Sequence, residues 1–318
     1  MSYDETTHPP ASHISPRKEG FNFLPPPPDF TLFRYEAAVD WLEVEIETET
    51  PTQPWTVADK LGIPHSKLVD DGPGHAGTIF KAKFQDPLSW AFVQKSIENS
   101  GLKLSKTPRL TQLEISFDAY PKDATRRQTN ELLAHFLWFG AELRGENIRA
   151  FVEGRPEGTN DISSYNGWLR ALETKTIYIG SQKRVHSRPQ DPLSWRLYYK
   201  HTDAGLEIPP EQHRARIEMT LCGSALPAGT LDELAVFDLQ KLTKYLKFRK
   251  LKPEIPAVLE STLAKFPLGS FQVRKRRQGG GERRFHLATA ADPVLNGKAY
   301  DALRNLNRRM KRQVKGKS

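Results

Sequence analysis

Three segments of the sequence carry reactive side chains at every second position, with mostly apolar residues between them. Because successive side chains of a β-strand point to opposite faces, each segment predicts one polar and one apolar face. The polar faces hold, in chain order, Glu114, Ser116 and Asp118; Arg196, Tyr198 and Lys200; and Arg216, Glu218 and Thr220. If the three faces converge, they form a pocket of carboxylates, a tyrosine and cations. The alternative is that they are solvent-facing positions of a one-sided sheet.

Several common catalytic and metal-binding motifs are missing from the sequence. The nine histidines include no His-x-His or His-x-x-x-His pair, and there is no Walker loop and no Gly-x-Ser-x-Gly elbow. Cys222 is the one cysteine, which excludes a disulfide framework and any multi-cysteine zinc or iron–sulfur site. We therefore expect a reducing, cytoplasmic setting.

Positive charge is concentrated at the C-terminal end of the chain. The net charge is +9, and from Leu268 onward fourteen lysines and arginines accompany Glu282, Asp292 and Asp301. This asymmetry indicates a polyanionic partner, with nucleic acid as the leading candidate and a solvated basic tail as the alternative. No apolar run approaches the roughly 20 residues that a membrane-spanning helix needs, so no membrane partner is expected.

Hydrophobic periodicity outlines the elements around these segments. Strands are predicted at 39–47, 78–84, 110–120, 148–152, 174–180, 194–201 and 214–221, and helices at 86–99, 125–143 and 230–247. Asp86 is the predicted N-cap of the first helix, and Thr230 opens a capping box in the third. Because isolated helices interrupt the strands without a regular βαβα repeat, we expect an α+β fold with a central, mostly antiparallel sheet and flanking helices.

The chain divides into three predicted regions. Residues 1–30 form a proline-rich tail that is expected to be disordered, 31–226 form the catalytic domain, and 227–318 form a basic C-terminal DNA-binding region. A helix at 255–265, a glycine-tipped hairpin at 271–287 and a helix at 298–313 predict a small module resembling a winged helix, with a flexible basic extension as the alternative. Its predicted DNA-binding residues are Arg274, Lys275, Arg276, Arg277, Arg283, Arg284, Arg308 and Arg309.

The order of three motifs resembles a known family. Residues 176–181 read Thr-Ile-Tyr-Ile-Gly-Ser, 196–200 read Arg-Leu-Tyr-Tyr-Lys, and 216–221 read Arg-Ile-Glu-Met-Thr-Leu. This order resembles the replication initiation factor (Rep-trans) family of rolling-circle initiators from plasmids, filamentous phages and integrative elements. The segments at 39–42 and 113–118 also fit, although Gln112-Leu113-Glu114 stands where the family has an Arg-Ile-Asp-like entry.

The resemblance implies a fold related to the HUH nickases, without their histidine pair, and a site-specific, metal-dependent DNA nickase and strand transferase. A tyrosine would attack a phosphodiester of the replication origin, leaving a 5′-phosphotyrosine and a free 3′-OH that primes synthesis. The residues implied are the nucleophile Tyr198, the cations Arg196 and Lys200, the Mg²⁺ or Mn²⁺ ligands Glu114 and Glu218, and Asp118 as ligand or base. The implied partners are single-stranded or extruded origin DNA, a host helicase and a second copy of the chain.

Tyr198 and Tyr199 compete for the role of nucleophile. Tyr199 shares its strand face with Leu197, which predicts core packing, whereas Tyr198 lies between Arg196 and Lys200 on the polar face. Tyr198 also occupies the position of the family's tyrosine, and we therefore expect it to be the nucleophile.

Two other functions remain open at this point. A relaxase of an integrative conjugative element would use the same chemistry, whereas a non-enzymatic DNA-binding regulator would use the basic C-terminal region alone. A covalent adduct with DNA would distinguish either enzyme from the regulator.

Overall fold

An eight-stranded sheet forms the centre of the computed structural model, which describes residues 27–70, 76–140, 150–152, 171–180, 191–203, 205–254 and 289–312. The strands are β1 (Phe33–Thr52), β2 (Leu68–Asp70), β3 (Gly77–Gln85), β4 (Arg109–Pro121), β5 (Ala150–Val152), β6 (Ile177–Ile179), β7 (Leu193–Lys200), β8 (Thr202–Asp203), β9 (Leu206–Glu207), β10 (Arg214–Cys222), β11 (Arg249–Leu251) and β12 (Thr289–Ala291). The order in the large sheet is β2-β3-β1-β4-β10-β7-β6-β5, and each neighbouring pair is antiparallel. The remaining strands form two small antiparallel pairs, β8 with β9 and β11 with β12.

Helices flank this sheet, which confirms the predicted α+β class. They are α1 (Pro54–Leu61), α2 (Trp90–Glu98), α3 (Arg126–Phe139), α4 (Leu231–Val236) and α5 (Pro293–Met310). Single turns of 3₁₀ helix lie at Phe30–Leu32, His65–Lys67, Pro210–Gln212 and Gly223–Ala225, and a longer one at Leu239–Tyr245. In the described part of the chain, no helix is both long and apolar enough to cross a membrane.

The apolar faces of the central strands pack against helices and form the hydrophobic core. Ile115 and Phe117 of β4 are fully buried, and the Phe117 ring lies 6.0 Å from the ring of Phe136 in α3. Burying a side chain of this size contributes roughly 1.5–3 kcal/mol relative to leaving it in water. The core therefore holds the sheet against α3 and leaves its other face to polar residues.

Local sequence signals explain most helix starts, with one correction. Capping boxes at Thr125 and Thr230 begin α3 and α4, the second as predicted, although α4 ends at Val236 and a 3₁₀ helix follows. The predicted N-cap Asp86 is wrong, because Ser89 caps α2 through a hydrogen bond from the Phe92 N–H group. Asp86 has a φ angle of +44° and donates its own N–H group to the Asp40 carbonyl oxygen.

The C-terminal helix α5 belongs to the same hydrophobic core as the sheet. It begins at Pro293, earlier than predicted, because Asp292 accepts hydrogen bonds from the N–H groups of Val294 and Leu295. Its buried residues include Leu303, and it packs along β1. The predicted helix at 255–265, the basic hairpin at 271–287 and residues 1–26 of the predicted tail lie outside the described residues. The boundary at residue 226 stays a prediction.

Candidate active site

A β-bulge in β1 brings an extra acidic side chain to the polar face of the sheet. Val39 pairs with Ile115, and the next pair joins Trp41 to Glu114, so that Asp40 is the extra residue. The Asp40 carbonyl oxygen instead accepts hydrogen bonds from the Asp86 N–H group and the Gln85 side chain, both at 2.8 Å. The side chains buried in the core are therefore odd-numbered before the bulge, as at Val39, and even-numbered after it, as at Leu42. As a result, Asp40 faces the site.

Three buried carboxylates meet on this face and form the acidic cluster Asp40, Glu114 and Glu218. One oxygen from each lies within 4.8 Å of the other two, and the residues are 7%, 1% and 3% exposed. Mg²⁺ and Mn²⁺ prefer oxygen ligands, and Mg²⁺ holds them about 2.1 Å away. The residues of the acidic cluster therefore fit a divalent cation of this kind.

Burial raises the pKa of two carboxyl groups in the acidic cluster. The pKa of Asp40 is raised to about 8, mainly by burial and further by the nearby Glu218, although Arg216 opposes the shift. Burial also raises the pKa of Glu114, against the opposing effect of Arg196. A bound divalent cation would offset this cost by favouring the charged carboxylates.

Arginines from β7 and β10 connect the acidic cluster. Arg196 Nη2 lies 2.7 Å from Glu114 Oε1 and 2.6 Å from Glu218 Oε2. Arg216 Nη1 lies 3.2 Å from both Asp40 carboxylate oxygens and 3.3 Å from Glu218 Oε1. Because bidentate and charge-assisted hydrogen bonds are directional, these arginines fix where the carboxylates point.

Asp118 lies beside the acidic cluster rather than in it. The Arg216 guanidinium donates two hydrogen bonds of 2.6 Å to its two carboxylate oxygens, and Arg214 Nε lies 3.3 Å away. Asp40, which the sequence does not predict as a ligand, thus lies with Glu114 and Glu218. The predicted ligand Asp118 instead forms a bidentate ion pair with Arg216.

Neighbouring polar side chains orient Glu114. The Trp41 indole Nε1 donates a hydrogen bond of 2.5 Å to Glu114 Oε1, and Thr220 Oγ1 donates one of 2.6 Å to Oε2. Trp41 reaches this position because it follows the bulge. Both oxygens of Glu114 are therefore fixed in direction by groups from neighbouring strands.

Tyr198 lies on the same face and contacts the acidic cluster. Its hydroxyl group donates a hydrogen bond of 2.6 Å to Glu218 Oε1. Burial, followed by the negative charge of Glu218, raises the pKa of Tyr198 above that of an ordinary phenol. The hydroxyl group consequently keeps its proton at neutral pH and needs a base to become a nucleophile.

Tyr199 points to the opposite side of β7, as strand alternation predicts. Its hydroxyl group lies 3.2 Å from His213 Nδ1, and the Arg126 guanidinium lies 4.2 Å from the centre of its ring. The ring is partly buried against the hydrophobic core. Tyr199 is therefore separated from the acidic cluster by the sheet.

The remaining predicted site residues lie at the rim or outside the described residues. Lys200 Nζ is 2.9 Å from Asp203 Oδ1, and the Arg309 guanidinium donates a hydrogen bond of 2.8 Å to the Ala37 carbonyl oxygen. Arg308 lies in the last turn of α5 and is exposed. The predicted DNA-binding residues outside the described part of the chain are Arg274, Lys275, Arg276, Arg277, Arg283 and Arg284.

A polar pocket of about 530 Å³ opens over the acidic cluster. Its charged lining comprises seven carboxylates and six cations: Glu36, Asp40, Asp86, Glu114, Asp118, Asp203 and Glu218, with Lys83, Arg196, Lys200, Arg214, Arg216 and Arg309. The near balance of charge means that an added divalent cation would make the pocket attractive to a phosphate.

Comparison with known proteins finds a structural likeness for this chain but no match in sequence. No family model matches the sequence, and no curated protein matches it. Among solved structures, the chain is similar to a rolling circle replication initiator protein from Geobacillus stearothermophilus, with 14% sequence identity and a TM-score of 0.37. The match covers 76% of this chain and 95% of the other. A likeness of this degree assigns no activity to the chain.

Proposed function

We propose that the chain is a tyrosine-dependent DNA nickase and strand transferase that initiates rolling-circle replication. The observation that carries the proposal is the hydrogen bond of 2.6 Å between Tyr198 and Glu218, a member of the acidic cluster. A phenol beside a base and clustered carboxylates has the groups that phosphodiester transfer needs. The motif order that resembles the Rep-trans family supports the same function.

Proton transfer within this pair gives a balanced reaction. Glu218 takes the proton of the Tyr198 hydroxyl group while the phenolic oxygen attacks phosphorus and the bond from phosphorus to the 3′ oxygen breaks. The proton then passes to the departing 3′ oxygen, which leaves a 5′-phosphotyrosine and a free 3′-OH. The reverse sequence rejoins a strand, so that one residue pair serves both steps.

The surrounding charges would stabilise the phosphate during this transfer. Asp40, Glu114 and Glu218 would hold Mg²⁺ or Mn²⁺, which supplies Lewis-acid polarisation of a phosphate oxygen when bound. Arg196, whose side chain is 28% exposed, and Lys200 can add positive charge at the developing oxyanion. The basic C-terminal residues would add salt-sensitive contacts to the DNA backbone, as the sequence predicts.

An oligonucleotide cleavage assay tests the proposal. Single-stranded oligonucleotides covering the DNA that flanks the coding region, and any inverted repeat in it, are incubated with the chain and Mg²⁺ or Mn²⁺. We expect the parent to form a covalent adduct, Tyr198→Phe to form none, and Tyr199→Phe to retain it. DNA binding without an adduct in the parent would favour a non-enzymatic regulator instead.

A further inference from the structure

Lys83 is a half-buried cation that the sequence analysis did not single out. It lies on β3 opposite Glu43, and its Nζ atom is 3.3 Å from the centre of the Trp41 ring. Contact with an aromatic face stabilises an ammonium group without neutralising its charge. Trp41 thus holds Lys83 at the wall of the pocket, beside the acidic cluster.

Most other cations of the pocket already have carboxylate partners. Arg196, Lys200, Arg214 and Arg216 each form at least one ion pair with an aspartate or glutamate. Within the described residues, no ion pair involves Lys83. Its positive charge is therefore available to an anion that enters the pocket.

Arg309 is the second pocket cation without a carboxylate partner among the described residues. It reaches the pocket from the last turn of α5, where its guanidinium contacts the Ala37 carbonyl oxygen. One hydrogen bond to a carbonyl group leaves most of its five N–H donors for other acceptors. Arg309 therefore combines a fixed position with free hydrogen-bonding capacity.

These two cations lie on either side of Asp40 along β1. Ala37, which contacts Arg309, and Trp41, which contacts Lys83, are four residues apart. The bulge between them removes one step of the ladder, so that roughly 10 Å separates them along the strand. The bulged Asp40 and its cluster lie between them. An anion with regularly spaced charges could therefore contact both cations while crossing the acidic cluster.

We propose that Lys83 and Arg309 bind two phosphates of one DNA strand, one on each side of the phosphodiester that Tyr198 attacks. This inference rests on the proposed nicking function and adds the path of the substrate along β1. Two fixed contacts would place the reacting phosphate over the acidic cluster, which the nearly balanced charge of the pocket cannot do alone. Lys83 and Arg309 act as positioning residues in this account.

The test measures DNA binding in a Tyr198→Phe background, in which the proposed nucleophile is absent. The probe is a short, fluorescent, single-stranded oligonucleotide of mixed sequence, titrated with Mn²⁺ present at several salt concentrations. Lys83→Gln and Arg309→Gln are each combined with Tyr198→Phe. Lys95→Gln, an equal charge change on the exposed surface of α2, is the matched control.

Removing one cation that binds a phosphate of single-stranded DNA lowers the slope of log affinity against log salt by about 0.7. We expect this reduction for Lys83→Gln and for Arg309→Gln, about 1.4 for both together, and a three- to tenfold weaker affinity at low salt. Lys95→Gln should leave the slope unchanged. Lys83→Arg should restore the slope, whereas Lys83→Met, which keeps the apolar contact with Trp41, should not.

The outcomes separate this inference from the proposed function. Unchanged slopes for Lys83→Gln and Arg309→Gln, with intact binding by the Tyr198→Phe protein, would overturn the inference alone. Equal slopes for Lys83→Arg and Lys83→Met would also overturn it, since Lys83 would then serve only to pack on Trp41. Cleavage of the probe by the Tyr198→Phe protein would instead contradict the proposed function.

Discussion

The Tyr198 hydroxyl group contacts Glu218 although the sheet pairs Tyr198 with Arg216 and Glu218 with Arg196. The two side chains are diagonal neighbours on β7 and β10, and they meet because both point to the polar face. A slip of one residue in the register would send one of them to the other face. The proposed nucleophile and base are thus brought together by strand pairing.

Replacing the proposed base tests the proton transfer. Glu218→Gln keeps the shape of the side chain but cannot accept the proton of Tyr198, and we expect adduct formation to slow by about 10²- to 10⁴-fold. The rate is measured by quenched-time electrophoresis of the DNA–protein adduct. Glu207→Gln, at an exposed position of β9, is the control that should react at the parent rate. A parent-like rate for Glu218→Gln would exclude Glu218 as the base.

The raised pKa of Asp40 predicts a pH dependence of stability in metal-free protein. Between its ordinary value of 3.8 and about 8, the folded state holds a proton on Asp40 that the unfolded state has lost. This carboxyl group therefore makes the free energy of unfolding fall as pH rises, by up to about 1.4 kcal/mol per pH unit.

Asp40→Asn should remove this contribution. We expect a flatter dependence of the free energy of unfolding on pH, measured by urea unfolding in the presence of a chelator at several pH values across that window. Exposed Asp123→Asn should keep the parent slope. If Asp40→Asn also keeps it, Asp40 does not hold the proton.

We expect Arg216 to stabilise the fold by pairing with the buried carboxylates of the site. Arg216→Gln leaves the buried Asp118 and Asp40 without their shared positive partner, and we expect a decrease of about 3–5 kcal/mol in the free energy of unfolding. Arg34→Gln breaks an exposed ion pair with Glu36 and should cost less than about 1 kcal/mol. Similar decreases for both variants in chemical denaturation would contradict this assignment.

Gly180 of the Tyr-x-Gly-Ser motif has a conformational requirement. Its φ angle is +79°, and an added Cβ atom would lie 3.1 Å from the Leu193 carbonyl oxygen. Gly180→Ala should therefore cost about 1–2 kcal/mol of stability. Gly297→Ala, in the open interior of α5, should instead stabilise the protein by about 0.5–1 kcal/mol. Thermal unfolding of both variants checks the sign: a Gly180→Ala protein as stable as the parent would refute this requirement.

The polar faces could be predicted from the sequence because strand alternation depends on local pattern. Glu114, Arg196, Tyr198 and Glu218 lie together, and Tyr199 lies across the sheet from them. Their roles in catalysis stay predictions. The pattern could not show which carboxylate pairs with each arginine, because that depends on strand register. The register places Arg216 opposite Asp118, and the two side chains form an ion pair.

Strand alternation could not predict that Asp40 faces the site. Side chains two residues apart share a face in a regular strand, which assigns Asp40 to the core face with Leu42. The bulge that reverses this assignment arises from pairing with β4, a partner about seventy residues away in the sequence. An aspartate inside an otherwise apolar strand face was the one local sign of such an irregularity. Similarly, the sequence could not show that Asp86 is not a helix cap, because its hydrogen bond to the Asp40 carbonyl oxygen is a tertiary contact.

Mass spectrometry of the trapped DNA adduct tests the central claim most directly. After incubation with a cleavable oligonucleotide and Mn²⁺, the adduct is digested with nuclease and protease, and the nucleotide-bearing peptide is sequenced. We expect a phosphodiester on the Tyr198 oxygen, on the peptide that contains β7. A nucleotide attached to Tyr199 or to any other residue would contradict it.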